Sequence, residues 1–410
     1  MRISITPGNV SFFLLMAITV GLTASKAVLS IGMVVMLAAG AWHFFDNGKE
    51  FTISPRMRNY AVMLAGLFLI ALICGLYTEN TTAWLRDVKT KLSLLLIPLG
   101  LILIPTPTLR QKGILALTFI FVQTIWATAT LAVFWKNYES EMEKVRQNSN
   151  IEILGSISHI YFGLLLAFAC LLGLHFLYHH KTAIGKRLTI FLGMATIINL
   201  LSLHILSSRT AQAGFYAALL VWVGMEIWVS QKWKTGFIAL SLVVLIPVVA
   251  FYTIPSFRTR IEVSVWDYQM YQNRSGIYKD NSISSRLLAW GEAWDIFLEN
   301  PLTGIGLEDI GSEIERRFVE KKMYTTVPEH LKIPHNLYLK YLSGVGIAGF
   351  LYLLWILTLP AYAAIVRKDV LMTGFMALCM VAFFFENFPE RQIGIVFFCM
   401  GYLLIPEFEP

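Results

Sequence analysis

Apolar residues in this chain come in runs about as long as a bilayer core is thick, and that limits it to very few folds. A helix crossing the hydrocarbon core takes roughly 20 predominantly apolar residues. About twelve such runs follow one another: 10–24, 27–45, 58–77, 91–104, 112–135, 158–178, 185–206, 210–229, 235–253, 336–364, 370–386 and 391–406. In lipid the backbone must satisfy its own hydrogen bonds, so spans of this kind are helical. The pattern predicts an all-α polytopic membrane protein with about twelve transmembrane helices. It divides the 410 residues into 1–253, a loop domain at 254–335, and 336–410. The run at 91–104 is short and holds Pro98 and Gly100, so a tilted, broken or re-entrant segment is expected there. The first run ends in Thr23-Ala24-Ser25, which also fits a signal-peptide cleavage site. A second apolar run follows almost at once, which favours a first span.

Composition excludes the other broad classes. Charged residues make up 14% and hydrophobic residues 56%, whereas a soluble domain is roughly a quarter charged. The net charge of +7 is scattered between apolar runs rather than gathered into a nucleic-acid-binding patch. Cys74, Cys170, Cys379 and Cys399 all lie inside apolar runs, which excludes a disulfide framework or a Cys-x-x-Cys metal site.

Orientation follows from Lys and Arg in the short connections. With both termini in the cytoplasm, the inner segments collect Arg2, Lys49, Arg56, Arg58, Arg110, Lys112, Lys181, Lys186, Arg187, Lys232, Lys234, Arg367 and Lys368. The other side then carries Glu139, Glu141, Glu143 and Glu152, together with the large loop. That loop reads as helical. Leu287, Trp290, Trp294 and Leu298 recur at helical spacing, with Ser284 or Ser285 as cap and Asn300-Pro301 as terminator. After the turn Gly304-Ile305-Gly306, a second amphipathic stretch places Ile310, Ile314 and Phe318 on one face. Such a pair would lie on a membrane surface or cover a cavity.

Familiar enzyme signatures for nucleotide or metal chemistry are missing, and no span carries paired carboxylates. What stands out is cationic. Arg209 is held between two apolar runs in Ser207-Ser208-Arg209-Thr210, either as an interfacial anchor or as an anion ligand. Arg286 opens the loop's first helix, and Arg86 and Lys89 precede the short fourth run. Read alone, these three are solvated or flanking residues as readily as ligands. His335 follows Pro334, a residue favoured at the first helical position. That predicts a histidine in the first turn of the tenth span, where the helix dipole favours the neutral ring. Without more context it could equally be an exposed histidine. His159 and His330 are weaker candidates.

These residues resemble a known pattern. His335-Asn336, nine residues, then Gly346-Ile347-Ala348-Gly349 resembles the H-[NSQ]-x9-G-x-x-G signature of O-antigen ligases, members of the O-antigen ligase and polymerase superfamily of bacterial envelopes. Asn300-Pro301-Leu302-Thr303-Gly304-Ile305-Gly306 resembles that family's N-P-x-x-G-x-G stretch, and Ser208-Arg209-Thr210 its S-R-[GT] element. The family's R-x-x-x-L element is altered: four residues after Arg286 stands Trp290.

The resemblance implies a C-type glycosyltransferase of the bacterial inner membrane, with a periplasmic active site and no metal or other cofactor. Its partners would be an undecaprenyl-diphosphate-linked glycan, a lipid A-core acceptor and membrane lipids, with no nucleic acid. It implies catalytic roles for His335 and Arg286 and substrate binding by Arg209, Asn336, Lys89 and Arg86. Gly346 and Gly349 would admit a neighbouring helix. A polymerase of the same superfamily, a protein O-oligosaccharyltransferase, and a transporter or flippase remain alternatives on the sequence.

Overall fold

A computed structural model of the chain describes residues 7–47, 53–155, 157–273 and 282–405. Every regular element among them is helical. In chain order these are α1 (Pro7–Ala24), α2 (Lys26–Asn47), α3 (Pro55–Cys74), α4 (Thr81–Lys91), α5 (Ser93–Leu103), α6 (Leu109–Lys136), α7 (Tyr138–Arg146), α8 (His159–His179) and α9 (Lys181–Ile205). There follow α10 (Arg209–Ser230), α11 (Trp233–Thr253), α12 (Pro255–Gln272), α13 (Ser282–Glu299), α14 (Ile310–Glu320), α15 (Leu337–Arg367), α16 (Val370–Phe385) and α17 (Gln392–Leu404).

Each of the twelve apolar runs is a helix. Eight helices (α2, α3, α6, α8, α9, α10, α11 and α15) are long and apolar enough to cross a membrane. The protein is therefore a polytopic membrane protein of the all-α class. Three further apolar helices, α1, α16 and α17, are shorter. The run at 91–104 becomes the eleven-residue α5. At about 1.5 Å per residue, α5 alone spans roughly half a bilayer core. It continues α4 after the single residue Leu92.

Helix α8 lies at the centre, buried along most of its length, while α11 keeps large apolar side chains such as Phe237, Ile238, Val244 and Tyr252 on the outside. A helix apolar all round is buried or faces lipid, and these two are the two cases. Around α8 the core is dense in aromatic rings, with Phe119, Phe168, Phe375 and Phe397 in mutual contact.

The segment 254–335 is helical, as expected, but its details differ. Sequence reading left 255–272 unassigned; it forms α12, started by Pro255 in the first turn. Neither Ser284 nor Ser285 caps α13, which begins at Ser282. Asp267 of α12 accepts hydrogen bonds from Ile283 N (2.6 Å) and Ser284 N (3.2 Å), so a carboxylate from another helix satisfies the free amides. The buried face of α13 is Ser285, Ala289, Glu292, Ala293 and Ile296. Leu298 and Trp294, expected inward, are largely exposed. Small side chains let α13 approach α15 closely, and that contact overrides the larger apolar stripe. The expected face of α14 is buried: Ile310, Ile314 and Phe318 form a small second core with Ile296, Val327 and Leu331.

Helix α15 is broken at Gly346, where φ is +70°. The break strands backbone groups, and the segment 300–307 takes them up. Ile305 N donates to Ser343 O (3.1 Å), Gly306 N donates to Gly344 O (2.9 Å), and Ile347 N donates to Pro301 O (2.9 Å). The approach is backbone on backbone. A Cβ at Gly346 would collide with Leu302, and one at Gly304, whose φ is +64°, would collide with Gly344. So the partner admitted by Gly346 is this loop and not a neighbouring helix. Gly349 makes room instead for Val345 of its own helix. The two glycine motifs of the sequence are one structural unit.

Gly346→Ala should therefore lower stability, by about 1–2 kcal/mol for the left-handed backbone alone and more for the collision. Gly291→Ala on α13, where nothing lies within 4 Å, should be neutral or gain about 0.5–1 kcal/mol. Thermal unfolding of both variants in detergent checks the pair; equal melting temperatures would contradict this account of Gly346.

Candidate functional site

The site is assembled where α15 begins. The helix starts at Leu337, and Asn336 is its N-cap: the Asn336 side chain accepts a hydrogen bond from Leu339 N (3.0 Å). Asparagine is among the best N-caps, and it displaces the expected start at Pro334. His335 thus lies just before the helix and not in its first turn. Its φ is +49°, in the left-handed region. That conformation is uncommon for a side-chain-bearing residue and persists only where the surroundings enforce it.

Two contacts do so. The Trp290 indole N–H donates to Pro334 O (2.6 Å), while its ring meets Phe384 edge-on with centroids 5.3 Å apart. On the other side, His335 Nδ1 lies 3.0 Å from Glu386 Oε1. In the neutral ring the bond to a carboxylate places the proton on Nδ1, which leaves Nε2 with a free lone pair.

Glu386 also ties the histidine to Arg286. Its Oε2 lies 3.6 Å from Arg286 Nη2, an ion pair by distance that is not a hydrogen bond, and Oε2 stays buried without a hydrogen-bond partner. Burial alone would raise the Glu386 pKa. The His335 contact, Arg286 and the Asn387 N–H outweigh it and hold the carboxyl below its usual value. Burial pulls the Arg286 pKa down, against the pull of Glu386. A guanidinium nevertheless keeps its charge in proteins.

Arg209 is the first residue of α10, and its Nη1 donates to Ser264 Oγ (2.6 Å). Among the described residues no carboxylate stands at ion-pair distance from it. Arg286 and a third arginine, Arg260, repel it electrostatically. Arg260 is buried on α12 and donates to Asn148 Oδ1 (3.1 Å) and Ser149 O (2.6 Å), while its Nε lacks a partner. His159, at the start of α8, feels all three guanidiniums and Glu386. The structure therefore brings Arg209, Arg286 and His335 to one end of the bundle, and Glu386 links the last two.

Beside His335 opens a cavity of about 470 Å³, bounded by α4, the start of α14, Lys332–His335 and Glu386–Arg391. Arg86 lines it; Lys89 and His330 do not and are exposed. Behind one wall lies a buried charge network. Lys91 Nζ approaches Asp87 (2.8 Å) and Glu390 (3.2 Å) without hydrogen-bond geometry, and Lys340 Nζ reaches Glu390 (2.5 Å) and Glu308 (3.2 Å). The Asp87, Glu308 and Glu390 oxygens lie within 4.8 Å of one another. Each of the three already faces a lysine, so they read as an ionic joint rather than an open metal site.

Sequence reasoning missed Glu386, Glu390 and Arg260. A signal existed for Glu386: an ionisable residue ending an apolar run is a functional candidate by default.

Residues 194–354, less than half of the chain, match the family model described as O-antigen ligase. That match places the stretch carrying Arg209, Arg260, Arg286, Trp290, His335 and Gly346 in the O-antigen ligase superfamily. With it come glycosyltransferase-like activity, polysaccharide or lipid-linked substrates and a bacterial envelope setting, in general terms. Arg86, Lys89 and Glu386 lie outside the matched residues. No curated protein matches the chain significantly.

Trp290 supplies the test of how His335 is held. Trp290→Phe keeps a ring against Phe384 but leaves the buried Pro334 carbonyl unpaired, a loss of about 1–3 kcal/mol. Transfer activity should fall roughly tenfold or more in kcat with KM little changed. Unchanged kcat in steady-state assays would show that the indole does not position His335.

Proposed function

We propose that the protein is an O-antigen ligase, transferring a polysaccharide from undecaprenyl diphosphate to a hydroxyl of lipid A-core at the periplasmic face of the inner membrane. One observation carries the proposal: a histidine held by a carboxylate through Nδ1, its Nε2 free, beside half-buried arginines that lack full compensation.

In this reading Arg209 and Arg286 bind the donor diphosphate. Its charge builds as the bond to the sugar breaks, and fixed cations in a water-poor site stabilise that charge strongly. The arginine forks match phosphate oxygens, and their partial compensation leaves them ready for an anion. His335 Nε2 takes the acceptor hydroxyl proton as the oxygen attacks the anomeric carbon. The new C–O bond forms as the C–O bond to the diphosphate breaks, with inversion, and the diphosphate leaves as an anion that needs no general acid. Glu386 orients the imidazole and balances the imidazolium that forms. Asn336 acts through the cap that fixes where α15 begins, Arg86 faces the neighbouring cavity, and Lys89 is at most a remote helper. Twelve spans, the helical domain 254–335 and cytoplasmic termini complete the topology of this reading.

The experiment is transfer in vitro. Purified protein, carrier-linked glycan and lipid A-core should suffice, without ATP, an ion gradient or a metal. His335→Ala should lose about 10²–10⁴-fold, and Arg209→Ala or Arg286→Ala should abolish transfer with protein still in the membrane. Arg→Lys should restore little, since lysine lacks the bidentate fork. Wild-type turnover in His335→Ala would remove the base from the mechanism. In a deletion strain, core-only lipopolysaccharide with carrier-linked polymer still present supports a ligase. Core bearing a single repeat would point to a polymerase.

Glu386→Gln keeps the shape and removes the charge. If the carboxylate balances an imidazolium, kcat should fall at least tenfold while donor binding persists. Because the Glu386 pKa is lowered, the carboxylate is charged above the ordinary carboxyl range and loses its charge only as pH falls through that lowered value. Difference infrared spectra against Glu386→Gln should therefore show the Glu386 carboxylate still charged at pH 5; its protonation between pH 7 and pH 5 would contradict the assignment.

A further inference from the structure

The cavity beside His335 has a charge balance of its own. Four carboxylates line it: Asp87, Glu308, Glu386 and Glu390. Each already faces a cation, with Lys91 and Lys340 on the first, second and fourth, and Arg286 with His335 on the third. Lys332, also in the lining, is taken by Glu315 (2.9 Å) and Glu329 (2.8 Å) outside it. Two lining cations remain, Arg86 and Arg391. Among the described residues neither has a carboxylate at ion-pair distance, and both are exposed. Arg209 does not line this cavity, and neither does Arg286. His335 and Glu386 thus line this cavity while Glu386 also pairs with Arg286 outside it, so the pair is shared between the arginine cluster and the cavity that carries Arg86 and Arg391.

We infer that this cavity receives the acceptor saccharide, and that Arg86 and Arg391 bind an anionic substituent on it, a phosphate or a carboxylate. The inference rests on the transfer reading above and adds the chemistry of the acceptor. A base shared between two sites serves a reaction in which donor and acceptor bind separately. Its free Nε2 must meet the acceptor hydroxyl, and the lined space next to His335 is where that hydroxyl can be presented. The remaining lining suits a sugar, since Thr90 and Asn387 offer neutral polar groups. Guanidiniums without protein partners are stabilised by a ligand anion through charge-assisted, bidentate hydrogen bonds. Arg391 also precedes α17 as its N-cap residue, so its backbone is fixed while its side chain is free to close on a ligand.

The test separates binding from transfer. Three probes are used: deacylated lipopolysaccharide core oligosaccharide as isolated, the same material after dephosphorylation, and the same material after carboxyl reduction. Titration calorimetry on full-length protein in nanodiscs should show the native probe binding roughly tenfold or more tightly than one of the two modified forms. The form that loses affinity identifies the anion. Arg391→Gln and Arg86→Gln should weaken the native probe to the level of that form and leave the form itself unaffected. In transfer assays both variants should raise the acceptor KM at unchanged donor KM.

Equal binding of all three probes by the wild type would overturn the proposal, as would variants that bind the native probe normally. A raised donor KM with normal acceptor binding would overturn it too, by assigning these arginines to the donor diphosphate. Charge-dependent binding together with absent transfer would uphold the site and overturn the transferase reading instead.

Discussion

A helix inside a membrane cannot break without stranding backbone groups, and α15 breaks at Gly346, about two and a half turns after it begins at Leu337. The rest of the site depends on how that break is mended. Segment 300–307 supplies Ile305 N and Gly306 N to the stranded carbonyls, and Pro301 O to the stranded amide. Those bonds lock the loop after α13 onto the first half of α15. The same docking fixes α13 relative to His335, so the Trp290 indole can reach Pro334 O and Arg286 can face Glu386. Glycine is required on both sides because the contact is between main chains.

The second constraint is electrostatic. Charges near a bilayer are tolerated when paired or exposed to water. At one wall the chain gives each charge a partner of opposite sign: Lys91 and Lys340 hold Asp87, Glu308 and Glu390, joining α4, α15 and the turn before α17. Removing one member of such a joint strands a buried charge at about 3–5 kcal/mol. At the arginine cluster it does not pair them. Asp267, an acid whose charge acts on Arg209, is occupied in holding the start of α13. Glu386 is shared between Arg286 and His335. The contrast separates a joint that holds helices together from a cluster that lacks its anion.

Much of this was legible in the sequence, and what was not had a physical reason. Run lengths gave every apolar helix because spans obey bilayer thickness. The Ile310, Ile314 and Phe318 face was readable because α14 packs in a water-facing manner, with one apolar stripe. For α13 the same rule failed. Close approach to α15 selects small residues such as Ala289 and Ala293, while Trp294 and Leu298 stay outside. Arg209, Arg286 and His335 were visible from their places at span ends and from the motif they complete. Glu386, Asp267 and Arg260 were not, since each acts on residues that only folding brings near. The change from Leu to Trp in the R-x-x-x-L element looked like a weakening. In the fold Trp290 has a specific partner, the carbonyl next to His335.

The strained backbone of His335 connects these strands. A left-handed histidine is less stable than an extended one, so something must hold it. The holders are Trp290 from α13, Glu386 after α16, and the Asn336 cap of α15. Each belongs to a different helix, and each contact stabilises the conformation only when those helices are correctly placed. The imidazole is thus presented by the agreement of three elements rather than by its own preference. Such an arrangement suits a group that must meet a ligand at a defined angle, because the reorganisation is completed on folding and does not recur with each turnover. The family match ends at residue 354, and the orienting carboxylate lies beyond it. Arg286, Trp290 and His335 form the face of the site that lies within the matched stretch, and the chain closes that face with a later helix end carrying Glu386.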